Sequence, residues 1–201
     1  MNAYLRKLTC GPGRFDAWVN GDANAITAEE RHGAELFVGK ARCVSCHSGA
    51  HFTDQKFHNI GLPGAMVSLV IQVGRDPGAA QGIPAMLADP LNARGKFSDG
   101  YDGRLDDLQR LNANDLLGAF RTPSLRCVDK RPSFTHTGQL RSLVEVVGFF
   151  NQGGAHSDTV GRNEIVPLNL TLDEQAHLIA FLRTLSGSGP AADLLAPPPS
   201  P

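Results

Sequence analysis

One short run narrows what this chain can become: Cys43-Val44-Ser45-Cys46-His47. Two thiols with a two-residue spacer and an imidazole directly after them are the attachment signature of a c-type haem. Each thiol adds across a porphyrin vinyl group, the spacer sets the separation of the sulfurs, and His47 supplies the proximal iron ligand. At these residue frequencies a chance match arises on the order of 10⁻³ times per chain, so the signal is specific. A zinc site would want two further ligands at zinc-like spacing, and Cys10 and Cys127 stand isolated. A thioredoxin-like redox pair would want a βαβ setting, which the pattern lacks.

The rest of the composition bounds the setting. The 201 residues suit the upper end of one domain, with residues 1–190 as that domain and 191–201 as a Pro-rich tail. Pro197, Pro198, Pro199 and Pro201 make that tail read as extended. Nineteen basic against 20 acidic residues give a net charge of −1, which argues against a nucleic-acid partner. No apolar run approaches the roughly 18 residues of a membrane span. Four cysteines are too few for a disulfide scaffold. The motif occurs once, without internal repeat. Residues Met1 to Leu8 carry charge where a signal peptide needs its apolar stretch.

Three segments carry clear helix starts. Thr27-Ala-Glu-Glu30 is a capping box opening a helix to about Phe37, closed by Gly39. Ser142-Leu-Val-Glu145 opens a second helix with Leu143, Val146, Val147 and Phe150 in a 3.6-residue period. Thr171-Leu-Asp-Glu174 opens a third, with Leu178, Ile179, Leu182 and Leu185 on one face. A helix over residues 1–9 and another over Leu105–Leu111 complete the reading, with long loops from Phe52 to Phe120. The class is mainly α, with long Gly/Pro-rich loops. Gly33 and Phe37 share a helix face, and a glycine there lets another helix cross closely. Ile179, Phe181 and Leu182 offer that partner; a glycine that merely tolerates helix is the equal alternative.

The order of segments carries more. Around the motif the chain reads Gly33-Ala-Glu-Leu-Phe through Cys43-Val-Ser-Cys-His-Ser-Gly-Ala-His-Phe-Thr-Asp54, then Phe57-His-Asn-Ile-Gly-Leu-Pro63. Phe120-Arg-Thr-Pro-Ser-Leu-Arg126 and Leu143-Val-Glu-Val-Val-Gly-Phe-Phe-Asn-Gln-Gly-Gly154 follow. Together these resemble the bacterial di-haem cytochrome c peroxidase family, including its MauG-type enzymes. The likeness runs from about Tyr4 to Leu195 and covers only the C-terminal haem domain of that family. It implies a cytochrome c-type haem domain with one covalent haem c, and the Gly33/Phe37 helix packed on the C-terminal helix. It further implies a redox donor protein, and a second haem-bearing domain or subunit where peroxide is reduced. Covalent haem of this kind is attached outside the cytoplasmic membrane, so the expected location is the periplasm, with any leader removed.

Several positions depart from the family. The sixth iron ligand, Met or Tyr in relatives, falls on Phe150, which has no atom that can bind iron. Either the distal side is open, with Phe150 walling the pocket, or His136, His58, Met66 or Met86 closes it. His136 is the best of the four, from its place in the family's histidine signature. Arg131 falls near the place of a calcium-binding threonine, and a cation beside a cation is unfavourable, so calcium is not expected. The acidic run Asp99, Asp102, Asp106 and Asp107 lacks EF-hand spacing and reads as a solvated loop and helix start. Arg121 and Arg126 flank the Thr122-Pro123-Ser124 turn. The turn's place in the family makes Arg126 the candidate for a haem propionate, which a guanidinium can hold by two parallel bonds, with simple surface exposure the equal alternative. Cys10 and Cys127 could pair in an oxidising compartment. For acid–base work on peroxide only His136 and Glu145 offer themselves, each with an ordinary packing or surface alternative. Three functions compete: peroxidase-family domain, mono-haem electron carrier, and haem-based ligand binder.

Overall fold

The computed structural model describes residue 4 and residues 7–63, 76–100, 103–155 and 159–196. Among these, seven α-helices and one two-strand ladder make the protein mainly α. The helices are α1 (Arg14–Val19), α2 (Ala28–Val38), α3 (Ala79–Ala88), α4 (Arg104–Gln109), α5 (Leu143–Asn151), α6 (Leu172–Thr184) and α7 (Ala192–Leu195). Strand β1 (Phe57–His58) pairs antiparallel with β2 (Phe120–Arg121), Phe57 opposite Arg121. No described helix is long and apolar enough to cross a membrane.

Local chemistry starts the main helices where expected. Thr27 Oγ1 accepts from the Glu30 amide while Glu30 accepts from the Thr27 amide, and Thr171 and Glu174 repeat the arrangement. At α5 the reciprocity is broken. Ser142 accepts from the Glu145 amide, but the Glu145 carboxylate takes the Arg141 amide at 2.7 Å.

The core forms where α2 crosses α6. A Cβ on Gly33 would lie 2.0 Å from the His177 carbonyl oxygen and 2.8 Å from Phe181 Cβ, so the close approach requires glycine. Phe37 then meets Phe181 edge-on at 5.2 Å. The contact expected from Gly33 and Phe37 is present, with His177 beside Phe181 as the residues actually met. Phe15, Phe37, Phe52 and Phe181 form a continuous aromatic cluster beneath the haem-motif segment.

Three differences from the sequence reading have physical causes. Helix α3 occupies a stretch read as loop, because Gly82 and Pro84 inside it argue against helix while Ala79 and Ile83 bury a face that tertiary packing rewards. Helix α1 is too short to show a period, yet Asp16 caps it by accepting from the Gly13 amide at 2.7 Å. Helix α7 makes one turn inside the segment read as extended tail, since the prolines begin only at Pro197. Most of the expected helix over residues 1–9 lies outside the described residues.

Candidate haem-attachment site

Arg42, in the left-handed region at φ 53°, turns the chain after α2 into a single 3-10 turn, Cys43–Ser45. That turn places both thiols and His47 on one tight segment, and the His47 amide donates to the Cys43 carbonyl at 2.8 Å. Cys43 and Cys46 are both free thiols, while Cys10 and Cys127 are joined to each other. Burial pushes the Cys43 thiol up to about 12. Cys46 is also raised, by burial and then by the negative charge of Asp54 and Glu164. Burial thus keeps both protonated and neither is tied up in a disulfide.

His47 is oriented by the backbone carbonyls of Phe52 and Pro123. Its Nδ1–H donates to the Phe52 carbonyl at 2.9 Å, which assigns the proton to that nitrogen and leaves Nε2 as the basic atom. Burial lowers its pKa against the raising effect of that carbonyl, so the ring is neutral. A neutral imidazole fixed through Nδ1 is what a metal requires of a histidine ligand. Among the described residues no group of three or more His, Cys, Asp and Glu side chains is placed to hold a bare ion. Two neutral thiols and one oriented imidazole thus fit covalent haem.

The segment after the motif is strapped to the rest of the chain. Thr53 Oγ1 donates to the Thr122 carbonyl at 2.7 Å, and Ser124 Oγ to the His51 carbonyl at 2.6 Å. His58 sits between two carboxylates, Nδ1 2.7 Å from Glu164 Oε2 and Nε2 2.9 Å from Asp54 Oδ2. Burial pulls its pKa down, but those two carboxylates outweigh it and the net shift is upward. Both ring nitrogens of His58 are thus committed to carboxylates, which leaves none turned toward an iron.

The other candidates fall apart in space. His136 stacks on Phe120 at 3.6 Å, with Nε2 3.4 Å from Asp76 Oδ2 and burial lowering its pKa. Asp76 and Phe120 also line a cavity of about 310 Å³ with Phe57, Ile83, Met86 and Arg121. Of the four distal candidates Met86 lines this cavity beside the β1–β2 ladder, while His136 touches two of its wall residues, Phe120 and Asp76. Met66 lies outside the described residues. Phe150 is half-buried, edge-on to Phe149 at 5.8 Å. Glu145 is exposed and spends its carboxylate on the Arg141 amide at the start of α5.

Arg126 presents a guanidinium already engaged. Its terminal nitrogens hold Asp16 at 2.6 and 2.8 Å, and Nε donates to the Ala50 carbonyl at 2.9 Å. Nothing in the sequence pointed to Asp16, which lies 110 residues away. In the acidic run, Asp106 pairs with Arg94 and Asp107 with Arg110, while Asp102 lies outside the described residues.

A mainly helical chain with a Cys-x-x-Cys-His turn over an aromatic core defines the class, and the comparisons narrow it. No family model matches the sequence. It is 36% identical to cytochrome-c peroxidase IdrP1 of Denitromonas iodatirespirans, over 94% of this chain and 49% of that protein. It is 34% identical to methylamine utilization protein MauG of Methylorubrum extorquens, over 94% of this chain and 43% of that protein. Among solved structures, a MauG-like protein associated with microbial copper homeostasis superposes with a TM-score of 0.60 at 27% identity. That alignment covers 93% of this chain and 54% of that one. The chain belongs to the bacterial cytochrome c peroxidase and MauG family, and spans about half the length of the curated relatives it matches.

Proposed function

We propose that this chain is the C-terminal haem domain of a periplasmic di-haem peroxidase, residues 1–190 forming the domain and 191–201 its tail. Cys43 and Cys46 attach one haem c and His47 is its proximal ligand. When bound, that haem supplies a one-electron iron couple. The domain accepts electrons from a donor protein and delivers them to a second haem-bearing domain or subunit. There hydrogen peroxide takes up two electrons and two protons to give two waters. The observation that carries the reading is the hydrogen bond from His47 Nδ1 to Phe52, beside two free neutral thiols.

Phe150 at the sixth-ligand place supports an open or water-bound distal side. His136 remains both the alternative sixth ligand and the acid–base candidate, since burial keeps its imidazole neutral and able to take a proton from peroxide. An open iron also supports a small-ligand binder as the second reading. A mono-haem carrier, with a closed iron and no peroxidase activity, is the third.

Steady-state peroxide turnover with a reduced donor, measured alongside the resting optical and EPR spectra, separates the three. Turnover when the second haem-bearing domain is supplied, with a high-spin ferric signal from this domain, is expected. A low-spin resting iron without turnover would leave the carrier, and a high-spin iron that binds ligand without turnover would leave the binder.

A further inference from the structure

We infer that Arg126 is a positioning residue for the proximal ligand: with Asp16 it clamps the 48–53 turn so that the Phe52 carbonyl faces His47, a role that rests on the haem reading above. The carbonyl that fixes His47 belongs to a residue in the left-handed region, Phe52 at φ 51°, which a phenylalanine does not adopt without support. Part of that support is local. The Phe52 amide donates to Gly49, Thr53 to Ser48 and Asp54 to Cys46, closing the turn on the motif.

The rest comes from elsewhere in the chain. The Phe52 ring is buried edge-on against Phe15 at 5.5 Å and Phe37 at 5.9 Å. The Arg126 guanidinium lies over the same ring, 5.1 Å from its centroid. The same guanidinium ties the turn at Ala50 through Nε and grips Asp16 with both terminal nitrogens. Asp16 is held by the Gly13 amide, and its pKa is lowered chiefly by Arg126. Cys127, the next residue after Arg126, is bonded to Cys10, which precedes α1. The clamp is thus anchored on both sides of the turn it holds, and its side chains are only 16% and 22% exposed.

The chemical consequence runs through one hydrogen bond. A carbonyl accepting from Nδ1 raises the basicity of Nε2 and so the electron density given to iron. That density stabilises the ferric state and lowers the reduction potential. Three of the five Arg126 N–H groups are spent on Asp16 and Ala50, which sets this role apart from the propionate partner expected from sequence.

Two variants in the haem-loaded protein test the assignment. Arg126→Lys keeps the charge but cannot reach Asp16 and Ala50 with a planar fork. Asp16→Asn removes the anchor and leaves Arg126 in place. NMR of the His47 Nδ1 proton should show exchange about tenfold faster in both, the size of one weakened hydrogen bond. The potential of the haem at Cys43 and Cys46 should rise in Arg126→Lys. Unfolding curves and intact mass establish that each variant is folded and loaded. Wild-type exchange in either folded, loaded variant overturns the positioning role, including when the potential moves without it, because the guanidinium then acts on the haem edge directly. A wild-type protein that carries no thioether-bound haem overturns the underlying haem reading instead.

Discussion

His58 shows how a single side chain can bind three segments of the chain near the haem motif. Its ring joins Asp54, just past the motif, to Glu164, with β1 between them. Because the folded pKa is raised above 6.5, the charged ring stabilises the fold fully below that value, and the contribution is lost as the pH rises through the folded pKa. In His58→Gln, chemical denaturation should show a stability deficit below about pH 6.5 that closes on the alkaline side. A deficit that stays constant with pH would mean the ring acts by packing alone. None of this was legible in the sequence, where His58 read as a loop residue or a distal ligand; its carboxylates lie 4 and 106 positions away. The motif residues were legible because their chemistry is local, five consecutive positions needing no tertiary partner to be recognised. Arg126 was legible as a functional cation, but its partner was not.

At the scale of elements, the α2–α6 crossing carries the core. Gly33→Ala would drive a methyl into the His177 carbonyl, and backbone on the far side cannot step aside cheaply. Overpacking of this kind costs roughly 1–3 kcal/mol. Urea unfolding should place the variant in that range; an unchanged midpoint would show that α2 and α6 can part without loss. The capping boxes at Thr27 and Thr171 made these helices readable, since cap and box partner sit three residues apart. Helix α3 was unreadable for the opposite reason. Its Gly82 and Pro84 oppose helix locally, and only the burial of Ala79 and Ile83 decides the matter.

Over the whole molecule, the Cys10–Cys127 bond closes a separation of 117 residues and ties the region before α1 to the segment carrying Arg126. Closing so long a loop in the unfolded chain is worth roughly 5 kcal/mol in the chain-entropy account. Cys10→Ala with Cys127→Ala should lower the unfolding free energy by about 2–5 kcal/mol, the range seen for native disulfides. Equal stability with and without the bond would place its value elsewhere than in folding. The chain spans about half the length of the curated relatives it matches, which supports the proposal that it is one haem domain of a larger assembly.

The central claim is that Cys43, Cys46 and His47 hold one covalent haem. Intact-mass measurement of the protein matured under c-type haem attachment tests it most directly. The account predicts a mass raised by one haem in the wild type, resistant to acid extraction, and no covalent haem in Cys43→Ser with Cys46→Ser. A wild-type protein at the mass of the bare chain, or a double variant that retains covalent haem, would contradict it.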